Sequence, residues 1–158
     1  MGKFLLYLSI PIILLVFLGL LFSLNKISGK SMEPTIKNGQ TALFRRVFLA
    51  GEPRRSLIVL YEPEPGLVKI GRILAEPKES VRVQGGKVYI DNNAGKYEIQ
   101  EEYLEKDTET HANIENTWVK MGEFNYLIVP DNRKNFVLDL EKQQINKNHI
   151  TGYFTTKF

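Results

Sequence analysis

From Phe4 to Leu24 the chain reads FLLYLSIPIILLVFLGLLFSL, without a single charge. No other feature limits its folding so severely. At about 1.5 Å per residue, a helix of this length spans roughly 30 Å, the thickness of a bilayer's hydrocarbon core. Ser9 and Ser23 can bond back to the helix backbone, and Pro11 adds at most a kink, which membrane helices tolerate. A cleaved signal peptide would have a shorter apolar stretch, about 7–15 residues, ending in a small-x-small site. This run ends in Phe-Ser-Leu-Asn-Lys instead, so the expectation is an uncleaved anchor. Lys3 before it and Lys26 after it leave the positive-inside rule nearly balanced. The short lead before Lys3 favours a cytoplasmic tail and an exported C-terminal part. The expected organisation is therefore a tail and transmembrane anchor over residues 1–26, then one extracytoplasmic domain over 27–158. Such a protein sits in the cell membrane as a single-pass chain.

The 158 residues leave room for one modest domain beyond the anchor. A net charge of +3 suggests no nucleic-acid partner. The absence of cysteine excludes disulfides and thiolate sites, and two histidines, His111 and His149, make a multi-histidine metal site a poor expectation. Neither metal nor cofactor is expected. Short β-type runs separated by turn signals fill the exported part: Thr41 to Phe48, Ser56 to Tyr61, Leu67 to Leu74, Phe124 to Val129 and His149 to Thr156. Ser80 to Gln84 and Lys87 to Asp91 flank Gly85-Gly86, a two-residue hairpin signal. The polar stretch from Glu98 to Asn116 reads as a short helix or a loop. The spacing predicts a mostly β domain, a barrel or folded sheet, rather than alternating β-α units.

Just beyond the apolar run lies Ser28-Gly29-Lys30-Ser31-Met32-Glu33-Pro34-Thr35-Ile36. It reads in two ways. One is a plain proline-containing turn. The other places the Ser31 hydroxyl and its own N–H toward the same bound carbonyl, supplying a nucleophile and one oxyanion donor close to the bilayer.

Gly-x-Ser-Met-x-Pro-Thr after an N-terminal anchor resembles the nucleophile motif of type I signal peptidases. The resemblance continues in order along nearly the whole chain. Gly71 to Val81 is similar to that family's lysine segment, and Gly86 to Asp91 to the hairpin after it. Tyr126 to Arg133 resembles its Gly-Asp-Asn-Arg strand end, and His149-Ile150-Thr151-Gly152 its closing strand. The resemblance implies a signal-peptidase-I-like β domain with Ser31 as nucleophile and Gly29, Met32 and Pro34 beside the substrate. It also implies that Asp131, Asn132 and Arg133 form a brace near the site. On residue type alone, Met32 fits a core position equally well, and Asp131-Asn132-Arg133 could be a plain turn with a surface salt bridge.

The departures from the family pattern carry most of the functional information. In the family, a lysine kept neutral by burial takes the serine's proton. The matching position here is Gly71, which has no side chain to act as a base. The family's orienting serine and its charged pair fall on Phe136, Leu138, Asp139 and Leu140, and a Gly-Asp pair earlier in the pattern falls on Ser56-Leu57. Lys69 lies two residues before Gly71 on an expected strand, on the same face and about 6.6 Å away. It is the first candidate for a substitute base, ahead of Lys30 and His149. Each of these has an equally simple reading, the two lysines as solvated surface groups and His149 as a structural strand residue.

Two functions follow from the resemblance. Signal-peptidase-like proteins lacking the full Ser-Lys dyad are associated with Gram-positive pilus assembly alongside sortases, and this small, singly anchored chain is similar to them. That implies a chaperone-like factor that binds a membrane-tethered pilin precursor, with the sortase as a further partner. The alternative is an active signal peptidase I that cleaves exported preproteins.

Overall fold

The structure, a computed structural model, describes residues 2–49 and 51–158, with the side chains of residues 2–9 and 49 outside the description. The chain opens with helix α1 (Gly2–Leu21) and continues as β1 (Phe22–Lys26), β2 (Thr41–Arg46), β3 (Ile58–Glu64) and β4 (Leu67–Ala75). The hairpin β5 (Ser80–Gln84) and β6 (Lys87–Asn92) follows, with β7 (Gly95–Glu98) turning back on it. Next come the short strands β8 (His111–Ala112) and β9 (Val119–Lys120), β10 (Asn125–Val129), β11 (Val137–Leu138), β12 (Gln144–Asn146) and the closing β13 (Ile150–Lys157).

The expected apolar helix is cut short. It stops at Leu21, and Phe22–Lys26 pairs antiparallel with β2, from Phe22 opposite Arg45 to Lys26 opposite Thr41. Hydropathy cannot separate these two outcomes, because an edge strand packed on its neighbour is as apolar as a helix end. Among the described residues no helix is long and apolar enough to cross a membrane. The Phe4–Ser9 part of the expected span falls where side chains are not described. From Ile10 to Leu20 the large apolar side chains are exposed around the helix.

The mostly β expectation holds. A seven-stranded sheet runs β1-β2-β13-β3-β4-β10-β12, a four-stranded sheet runs β7-β6-β5-β9, and β11 pairs in parallel with β8. The Gly85-Gly86 hairpin forms with Gln84 opposite Lys87, and both glycines adopt the left-handed φ that such a turn requires. Strand alternation splits the large sheet's two faces between separate cores. Ile58 and Leu60 of β3 join Ile27, Met32, Ile36 and Phe44 on one face. Val59 joins Ile73, Tyr126, Ile128 and Tyr153 on the other. A third cluster, including Leu74, Val81, Ile90, Met121 and Leu127, ties the four-stranded sheet to the ends of β4 and β10. Glu98 to Asn116 contributes strand ends and turns, with no helix.

Candidate active site

The loop between β1 and β2 is closed at its neck, where the Ile27 N–H donates to Gln40 O at 2.8 Å and the Gly39 N–H donates back to Ile27 O at 2.8 Å. Gly29 turns the chain with φ at 95°, a left-handed conformation suited to glycine, and its N–H donates to Asn38 Oδ1 at 3.0 Å. Met32 and Ile36 plug the loop into the core, one helical turn apart. Ser31 is left exposed between β1 and this plug. Pro34, after a cis peptide bond, is exposed as well. Met32 therefore occupies the core position, and Gly29 and Pro34 shape the loop.

The end of β10 holds this loop from the other side. Asn132 donates its backbone N–H to Ser31 O at 2.9 Å and its Nδ2 to Lys30 O at 3.1 Å. Asp131 is buried and accepts from Arg72 Nε at 2.8 Å, Arg72 Nη2 at 2.5 Å and Thr35 Oγ1 at 2.5 Å. Arg72 also donates to Ser56 O at 2.8 Å, and its guanidinium lies 3.8 Å from the centre of the Tyr103 ring. The Tyr103 hydroxyl donates to Glu101 at 2.5 Å, and Glu101 accepts from Arg133 Nη2 at 2.7 Å. Burial, reinforced by the Glu101 carboxylate, pushes the Tyr103 phenol far up. One forked ion pair, Arg72–Asp131, and one single-contact pair, Arg133–Glu101, joined through the Tyr103 ring, thus run from the Ser31 loop into the Glu98–Asn116 segment. Asp131 and Arg133 are too deeply buried for a plain surface turn.

Ser31 opens onto a cleft of about 570 Å³ walled by Tyr61, Lys69, Ile70, Ile128, Phe136 and Lys142 among others. Gly71 lies beneath this cleft. A Cβ placed on it would come 2.6 Å from Ile128 Cγ2 and 3.1 Å from Val129 O. The methyl of a buried β-branched side chain gives way poorly, so any side chain at this position would force Ile128 to shift. Phe136, at the expected place of the orienting serine, is part of the same wall. Leu138 and Leu140 are fully buried, and Asp139 is spent on the turn amides of Glu141 and Lys142, which hold its carboxyl below the usual range.

Lys69 does reach the Ser31 cleft. Lys30 is exposed but does not line it, and His149 sits exposed on a short turn beside β13, away from Ser31. Sequence reasoning missed Lys142, which joins the cleft from the connection between β11 and β12, and Ile128, the residue packed against Gly71. It also missed Arg72, Glu101 and Tyr103 as members of the brace. Arg72 had a usable signal, since it adjoins Gly71 in the matched segment. Glu101, Tyr103 and Lys142 had none, because only the fold brings them near. Among the described residues no group of histidine and carboxylate side chains could hold a metal.

One strand edge in the cleft is open. β4 pairs with β3 along its length from Leu67 to Arg72, but β10 meets it only at Arg72, Ile73 and Ala75. Leu67 to Ile70 therefore have a neighbour on one side only among the described residues.

The family model for signal peptidase, peptidase S26, matches residues 2–149. The chain is 24% identical to signal peptidase I U of Bacillus subtilis (strain 168) over 112 residues, 69% of this chain and 60% of that protein. It is 22% identical to signal peptidase I P of Bacillus subtilis subsp. natto over 147 residues, 91% of this chain and 75% of the relative. To a probable signal peptidase I-2 of Synechocystis it is 30% identical over 117 residues, but spans only half of that protein's length. The crystal structure of a signal peptidase I from Enterococcus faecalis V583 is similar in fold, with a TM-score of 0.50 and 17% identity, covering 66% of this chain and 98% of the other. Matched along almost its entire length, this chain belongs to the signal peptidase family, peptidase S26.

Proposed function

We propose that this protein binds an extended segment of a membrane-tethered precursor in the Ser31 cleft without processing it efficiently, as a chaperone-like factor. α1 would hold it at the membrane, with the β domain outside the cytoplasm. The client that best suits such a protein is a pilin precursor awaiting polymerisation, with a sortase acting next to it. The observation that carries this reading is the filled space at Gly71: Ile128 stands 2.6 Å from where a Cβ would begin. A lysine at this position would first have to displace Ile128. Losing one member of a nucleophile–base pair costs several powers of ten in rate. The open edge of β4 favours binding by strand addition, in which main-chain bonds give affinity and alternate side chains give selectivity.

Active signal peptidase I is the second reading. It is favoured by the exposed Ser31 hydroxyl and by Lys69 in the same cleft. The test uses full-length protein in detergent micelles with a pilin precursor that retains its signal peptide, read by mass spectrometry with Ser31→Ala alongside. Co-purification with an uncut precursor in both proteins is the expected result. A cleaved product that requires Ser31 would overturn the binding-only reading and make Lys69→Ala the next variant.

A further inference from the structure

The cleft's walls differ in charge along the free edge of β4. Alternation sends Val68 and Ile70 to one side, where Ile70 packs against the cluster holding Met32 and Phe44. Lys69 points to the opposite side, the one on which a Cβ at Gly71 would meet Ile128 and Tyr61. Lys142 joins the same cleft from across β10 and β12. Its ammonium is 3.7 Å from Asp139, with its side chain 87% exposed. Because Asp139 is already accepting two turn amides, that pair is an exposed, weak one, and the lysine is free to turn into the cleft. Among the described residues Lys69 forms no ion pair, and Glu64 at the mouth is the sole acidic side chain lining this cleft.

We propose that the cleft selects an extended peptide carrying acidic side chains at alternate positions, with the carboxylates facing Lys69 and Lys142 and the intervening small or apolar side chains facing Val68, Ile70 and Ser31. The proposal rests on the strand-addition reading above and specifies its ligand. A strand added beside β4 presents successive side chains to opposite faces, so one face of the peptide meets two lysines and the other meets an apolar strip. Charge complementarity of this kind acts mainly on selectivity and association rate. Lys69, read from sequence as a substitute base, is then a residue of recognition.

The test uses labelled decapeptides alternating Ala with Glu, Gln or Lys, and full-length protein in detergent micelles. Fluorescence anisotropy measures affinity at low and at 0.5 M salt. At low salt the Glu peptide should bind about tenfold tighter than the Gln peptide, as expected for two exposed charge contacts, and salt should erase the difference. The double variant Lys69→Glu/Lys142→Glu should reverse the order and favour the Lys peptide, a result that misfolding cannot produce. Equal binding of all three peptides would sink the charge selection while leaving strand addition in place. Absence of binding by any of them, in protein whose Trp118 fluorescence still reports a folded domain, would sink both.

Discussion

The serine loop's brace and the pocket beside it are built from adjacent residues, yet they contrast sharply in chemistry. Arg72, on the brace, is forked onto Asp131 and stacked on Tyr103. Gly71, one residue earlier, points to the other face and is sealed under Ile128. One side of β4 thus carries a buried ionic network that fixes the Ser31 loop, while the other packs Gly71 directly against Ile128. Positioning a serine and activating it are separable. A fold that needs only the loop's shape can retain the first and dispense with the second. Buried charges are costly unless paired, so removing one partner of the Arg72–Asp131 pair leaves the other stranded.

Breaking the brace should have the largest effect. Asp131→Ala strands the Arg72 guanidinium in the interior and should destabilise the domain by about 3–5 kcal/mol, read as a shift in the urea midpoint. A loss below about 1 kcal/mol would mean that the network is ornamental and the contrast false. The filled pocket is tested next. Gly71→Lys forces a stem into Ile128 and should cost about 1–3 kcal/mol, and adding Ile128→Ala should recover part of it through relief of the overpacking. If Gly71→Lys alone is neutral, the space was never closed. If the double variant cleaves a signal-peptide substrate while the parent does not, the lost base is the whole of the difference between this chain and a peptidase.

The smallest effect concerns pH. Burial raises the phenols of Tyr61, Tyr126 and Tyr153 on the Ile128 side of the sheet, Tyr126 from 10.0 to about 12. The folded state therefore holds these protons more tightly than the unfolded one. That stability is present in full below pH 10.0 and is lost as pH rises through about 12. Tyr126→Phe should flatten the alkaline decline of the unfolding midpoint. An unchanged decline would assign it to other groups.

Parts of this molecule were readable in advance because they are local. Gly85-Gly86 specifies its hairpin through backbone conformation alone, and Ser31-Met32-Glu33-Pro34-Thr35 marks its loop through residue types in fixed spacing. The absence of a lysine at Gly71 was equally plain. Phe22–Lys26 was misread because an apolar run does not say where helix gives way to strand. Pairing with β2, far along the chain, settled that.

By itself the sequence determined the family and the mostly β class, since each rests on residue identity and order. Tertiary structure decided that Met32 is core, that Ile128 packs against Gly71, that Glu101 and Tyr103 join the brace, and that Lys69 and Lys142 line one cleft. These depend on which side chains approach across the sheets, and packing at close-packed density is fixed by all the strands together.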